Sequence, residues 1–134
     1  MSKDVIHTDA APGPFQGAPY SQAVGANGFV FVAGQLGLEP GGHEPVGGGI
    51  AAQTEQALLN LQRILEAAGS SLSELVKTTV FLRDLDDFAG MNEVYARYVG
   101  DRPPARSTVE VGRLPSGALV EIEAIALGRP GGAG

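Results

Sequence analysis

Asn27-Gly28 separates two largely apolar runs, Ser21 to Ala26 and Phe29 to Gln35, and no other feature of the chain constrains the fold as tightly. A two-residue connection between antiparallel strands needs positive φ at both positions, and Asn followed by Gly supplies this at least steric cost. The pair predicts a β-hairpin. Its register sends Phe29 and Phe31 to one face of a sheet and Val30 and Val32 to the other, because side chains alternate along a strand.

The other elements follow from periodicity. Between Ala51 and Ala68 the apolar residues Ala57, Leu58, Leu61, Ile64, Leu65 and Ala68 recur at three- and four-residue spacing, and Gly69 follows where a helix end favours glycine. This is an amphipathic helix. Ser71 and Glu74 have capping-box spacing and open one short turn, after which Val76 to Leu82 reads as a strand. Asp86 is expected to cap a second helix with Phe88, Met91, Tyr95 and Tyr98 on one face and its end at Gly100. Pro103-Pro104 stops any continuation. Arg106 to Val111 is then a strand, Leu114-Pro115-Ser116-Gly117 a turn, and Leu119 to Leu127 the last strand. With a short strand at Val5 to His7, the order βββαβαββ predicts an α+β fold: a mixed sheet of about six strands with two helices on one face.

A chain of 134 residues that is 43% hydrophobic suits one core. One domain is expected over residues 1–128, with a flexible glycine-rich tail over 129–134 and a long flexible loop from Glu39 to Gly49. Phe29, Phe31 and Phe81 make the second sheet face partly apolar, and no further element is left to cover it. The expected cover is another copy of the chain.

Nine Lys and Arg against fifteen Asp and Glu give a net charge of -6, which repels polyanions, so no nucleic-acid partner is expected. The absence of cysteine excludes thiolate nucleophiles and thiolate metal sites. His7 and His43 stand alone, with no ligand spacing around them, so no metal is expected. No run reaches the ~20 apolar residues of a membrane span. The first ten residues lack the apolar core of a signal peptide, so a cytoplasmic location without membrane attachment is expected.

Several residues carry chemistry in principle. On the last strand Val120, Ile122, Ala124 and Ala126 form an apolar face, whereas Glu121 and Glu123 interrupt the other. Spaced acids on a solvated face are the commoner arrangement, and a catalytic role requires a polar partner. Arg106, mounted behind Pro103-Pro104-Ala105, is the best such partner. Its planar guanidinium can grip a carboxylate at two points, although an arginine at a strand end is more often a surface residue. Tyr20, just before the hairpin, is by position alone expected to pack. Asn92 borders the buried side of the second helix and is expected to brace a neighbouring loop. Lys77 on a strand is ordinarily exposed rather than a Schiff-base lysine. The Gly47-Gly48-Gly49 run lacks the residues of a phosphate loop, and no nucleophile elbow is present.

Taken in order, Gly17-Ala18-Pro19-Tyr20-Ser21-Gln22-Ala23, Val32-Ala33-Gly34-Gln35, Leu65-Glu66-Ala67-Ala68-Gly69, Val76-Lys77-Thr78-Thr79-Val80-Phe81, Asp84-Leu85-Asp86-Asp87-Phe88 and Pro104-Ala105-Arg106-Ser107 form one series. It continues with Val109-Glu110-Val111, Arg113-Leu114-Pro115 and Val120-Glu121-Ile122-Glu123-Ala124-Ile125-Ala126. Over nearly the whole chain this series resembles the RidA/YjgF-like reactive-intermediate deaminase family. The resemblance implies a chorismate-mutase-like fold, a homotrimer with active sites between subunits, and no cofactor. It implies a hydrolase of the 2-iminobutanoate/2-iminopropanoate deaminase type. Such an enzyme converts enamine and imine intermediates, among them 2-aminoacrylate and related 2-imino acids, to 2-keto acids and ammonia.

Carried over by position, Arg106 is the arginine that pairs with the substrate carboxylate and Glu121 the acid that positions or activates water. Tyr20, Gly34, Asn92 and Thr108 are substrate-binding positions, Thr108 through its backbone carbonyl. The chain departs from its relatives at Thr108, often cysteine, at Ala33, often serine, and in the short connection from Tyr98 to Pro103. Two other functional classes are compatible with such a chain. One is a non-catalytic member of the fold that binds a small molecule or a protein. The other is an endoribonuclease or translation inhibitor, which the acidic balance disfavours.

Overall fold

The computed structural model describes residues 2–128 of the chain. The expected tail at 129–134 lies outside the described residues. Six strands and two helices occur in the order β1 (Asp4–Ile6), β2 (Ala23–Ala26), β3 (Phe29–Leu36), α1 (Gly49–Ala67), β4 (Leu75–Leu82), α2 (Phe88–Val99), β5 (Ala105–Glu110) and β6 (Val120–Leu127). One mixed sheet runs β1-β2-β3-β6-β4-β5. Only β4 and β5, joined through α2, pair in parallel; the remaining pairs are antiparallel.

The hairpin forms as expected. Ala26 pairs with Phe29, and Asn27 and Gly28 take φ of +53° and +79°. The helix end at Gly69 is also realised: Gly69, at φ +79°, donates to Glu66 O at 3.0 Å and Ser70 donates to Leu65 O at 2.8 Å, which satisfies two carbonyls of the last turn.

Alternation sorts the sheet into two faces. Val30, Val32, Thr78, Val80, Leu82, Val120, Ile122, Ala124 and Ala126 are buried on the side where Leu58, Leu61, Ile64 and Leu65 of α1 and Met91, Val94 and Tyr95 of α2 pack. The other face holds Phe31, Lys77, Thr79, Phe81, Glu121 and Glu123, with Phe31 44% exposed. The apolar second face inferred from the sequence is therefore present and uncovered in the single chain.

Four local expectations change. The buried stripe of α2 is Met91, Val94, Tyr95 and Val99; Phe88 opens the helix and stays 42% exposed. Asp86 does not cap α2. Asp84 accepts the Asp86 N–H at 2.8 Å and so nucleates the 3-10 turn Leu85–Asp87 that leads into the helix. No capping box forms at Ser71 and Glu74, because the Ser71 hydroxyl turns to Ser73 Oγ at 2.8 Å and the turn closes through Glu74 N–H to Ser71 O at 3.0 Å. The segment from Glu39 to Gly49 is tied at several points: Val46 N–H bonds Gly37 O, Gly42 N–H bonds Glu39 O, and Ser116 Oγ bonds His43 O. Its last glycine is already the first residue of α1.

Candidate active site

Pairing between β3 and β6 slips by one residue between Val32 and Gln35, a bulge at Ala33-Gly34. By register Glu121 pairs with Leu36, just past the bulge, and its side chain folds back over Gly34. A Cβ on Gly34 would lie 2.8 Å from Glu121 Cδ and 2.9 Å from its Cγ, so only glycine lets this carboxyl lie flat on the neighbouring backbone. The carboxyl lines a cleft of about 410 Å³. Its walls are mainly apolar, with Pro12, Phe15, Leu36, Leu38 and Pro115 beside Tyr20. Burial is the main reason that the Glu121 pKa is raised above the ordinary glutamate value, and the like charge of Glu123 adds to it.

Position alone predicts that Tyr20 packs, whereas the resemblance makes it a substrate-binding position; it is 44% exposed and faces this cleft. Its Oη accepts the Phe15 N–H at 2.6 Å, which leaves the phenolic proton free to donate. The cleft rim is fixed by Gln22, whose buried amide accepts the Thr8 N–H at 2.8 Å and donates to Pro12 O at 2.8 Å and Thr8 O at 3.0 Å. Nothing in the sequence singled out Gln22 or Phe15. A polar residue at the mouth of a strand was the only signal for the first, and an aromatic among prolines and glycines for the second.

Arg106 lies elsewhere. It pairs in register with Thr78, whereas Glu121 pairs with Phe81, three residues along the same strand, so the two side chains leave opposite faces of the sheet. The expectation that they are neighbours fails within one chain. Arg106 Cζ sits 4.8 Å from the ring centroid of Tyr95 and 5.5 Å from that of Phe88. Both are cation–π distances, and the guanidinium makes no ion pair among the described residues. Phe88, Asn92 and Tyr95 are spaced i, i+4, i+7 along α2, which puts Asn92 on the stripe beside Arg106. Asn92 is half-buried and makes no side-chain hydrogen bond among the described residues, so the loop-bracing role expected of it is not seen.

Thr108 leaves the same face two residues after Arg106, and its buried Oγ1 has no partner among the described residues. Alternate backbone groups of β5 stay unpaired because it is an edge strand. Lys77 reaches across to Ser107 Oγ at 3.2 Å on the open face, opposite the face of Arg106 and outside the cleft that Glu121 lines. His7 bonds Asp9 at 3.0 Å at the surface, and no group of three or more His, Asp or Glu among the described residues is arranged to hold a metal ion. No helix among the described residues is long and apolar enough to cross a membrane.

Comparison with known proteins matches this architecture. The family model described as Endoribonuclease L-PSP covers residues 9–128. A RutC family protein of Pyrococcus horikoshii is 55% identical over 124 residues, 92% of this chain and 97% of that protein. The human 2-iminobutanoate/2-iminopropanoate deaminase is 44% identical over 130 residues, 97% of this chain and 93% of that protein. The crystal structure of RidA from the Antarctic bacterium Psychrobacter superposes with a TM-score of 0.87 at 44% identity, covering 92% of this chain and 98% of the other. The resemblance read from the ordered segments is thus upheld along almost the whole sequence, and the chain belongs to the RidA/YjgF-like family.

Proposed function

We propose that the protein hydrolyses 2-imino acids and their enamine tautomers to 2-keto acids and ammonia, in clefts between the subunits of a chorismate-mutase-like homotrimer. One observation carries this reading: a carboxyl with a raised pKa, seated in a largely apolar cleft, and an arginine without an ion pair leave opposite faces of one sheet. One small substrate can meet both only where two copies adjoin. The exposed apolar face, with Phe29 and Phe31 at 38% and 44% exposure, gives such copies a reason to associate.

Chemically, Arg106 holds the substrate carboxylate with two parallel hydrogen bonds. Acting on the protonated imine, the ionised Glu121 takes a proton from water as the oxygen attacks the C=N carbon, which gives a neutral tetrahedral carbinolamine. The same carboxyl returns that proton to nitrogen, and as the C–N bond breaks and ammonia leaves, the carbinol O–H proton passes to Glu121 and the keto group forms. Tyr20 offers its free phenolic proton to the substrate, the bulge at Gly34 leaves backbone open beside it, and Asn92 and the Thr108 carbonyl complete the arginine side. The -6 charge gives no support to the ribonuclease activity that the family description mentions.

The decisive experiment generates imino acids in situ with an amino-acid oxidase or dehydratase and follows keto-acid release. The protein is expected to accelerate release. An unchanged rate across small and large imino acids would leave a binding protein instead. The assembly is tested separately by light scattering coupled to gel filtration, which is expected to give about three times the 13.7 kDa chain mass. A monomer would remove the proposed site altogether.

A further inference from the structure

A bidentate grip on a carboxylate requires the guanidinium plane to be fixed within about 10–20°. A cation over an aromatic face, however, is free to turn in its own plane. The question is what holds the rings. Thr78 and Arg106 stand side by side in register on β4 and β5, on the face that α2 covers. Tyr95 comes down from α2 onto both: its ring lies 4.8 Å from Arg106 Cζ, and its hydroxyl meets Thr78 Oγ1 at 2.6 Å. Tyr95 is 5% exposed and Thr78 fully buried, so this hydrogen bond has no competing water and sets the ring against the sheet. Burial raises the Tyr95 pKa, which keeps the ring neutral under the cation.

We infer that Tyr95, locked by Thr78, is a positioning residue that sets the orientation of Arg106 for carboxylate capture. The inference rests on the proposed deaminase reading, in which Arg106 touches the substrate. Phe88 covers the guanidinium from 5.5 Å but is exposed at the start of α2, so it shields the arginine without fixing it.

The test uses the assembled protein and two readouts: steady-state kinetics on an imino acid generated in situ, and the affinity of pyruvate measured by calorimetry. Tyr95→Phe keeps the ring and removes its anchor. It is expected to raise both KM and the pyruvate Kd roughly 3- to 10-fold, the scale of one lost buried hydrogen bond, with kcat within about twofold. Thr78→Val should do the same, whereas Thr78→Ser, which retains the hydroxyl, should restore most of the loss. In an Arg106→Ala background Tyr95→Phe should have no further effect on kcat/KM, because its action passes through the arginine. A merely structural tyrosine would give additive losses there.

Unchanged KM and Kd in Tyr95→Phe, or additive losses, would overturn the inference and leave the deaminase reading intact. A neutral Arg106→Ala would overturn both.

Discussion

Glu121→Gln is expected to slow 2-imino acid hydrolysis by roughly 100-fold or more, the usual scale of one general acid-base group, while making the folded protein more heat-stable at neutral pH. The two effects share a cause. Burial, reinforced by Glu123, raises the folded-state pKa of Glu121 above its unfolded value, so the stabilising contribution of its neutral form is complete below the ordinary glutamate pKa. That contribution is lost as pH rises through the raised pKa. At pH 7 the wild type therefore holds an ionised carboxylate against the Gly34 backbone at a cost in stability, and an amide of the same shape avoids it. The melting-temperature gap between variant and wild type should close as pH falls below 4.5, the ordinary glutamate value.

Glu123→Gln is the control. Glu123 shares the open face but lies outside the cleft. Removing its charge is expected to lower the Glu121 pKa and move the acid limb of the rate profile downward, leaving turnover near wild type at pH 7. Equal damage from both substitutions would assign the acid wrongly.

Most of the scaffold was legible because its signals are local. Asn27-Gly28 sets a turn by its own dihedrals, Gly69 ends α1 by its own φ, and the strict alternation of Val120, Ile122, Ala124 and Ala126 assigns the buried face of β6 without reference to any neighbour. The bulge at Ala33-Gly34 was not legible from pattern, since the extra residue is defined only by pairing with β6, which is far away in sequence. The second helix was misread at its start for a similar reason. Phe88 fits the apolar period, yet its ring goes to Arg106 on a strand that follows the helix, and Asp84 rather than Asp86 was nearer the first free N–H.

Glu121 and Arg106 could be named by resemblance, but their separation could not be seen in the sequence. It follows from sheet order and register: β6 lies inside the sheet, β5 at its edge, and the pairings to Phe81 and Thr78 send the two side chains to opposite faces. Tyr20 could be placed at a binding position only by resemblance, because nothing in Ala18-Pro19-Tyr20-Ser21 says that a cleft opens beside it.

Arg106→Lys is expected to fail nearly as badly as Arg106→Ala, with catalytic efficiency on imino acids down roughly 30- to 1000-fold, equivalent to about 2 to 4 kcal/mol for a desolvated charge-assisted pair. Three features of the structure make charge alone insufficient. The guanidinium lies over the rings of Tyr95 and Phe88 and is planar, whereas an ammonium has no flat face to set against them. A lysine offers one charged point, so the carboxylate can pivot and carry the C=N carbon away from the water on Glu121, and misplacement on the order of 1 Å can cost about 100-fold. Among the described residues Arg106 makes no ion pair, so its replacement breaks no internal salt bridge, and the fold and assembly should survive. Gel filtration should therefore give the same elution for wild type, Arg106→Lys and Arg106→Ala before their keto-acid release is compared. Near wild-type efficiency in the lysine variant, or equal processing by wild type of imines that lack a carboxylate, would show that Arg106 is not the substrate clamp.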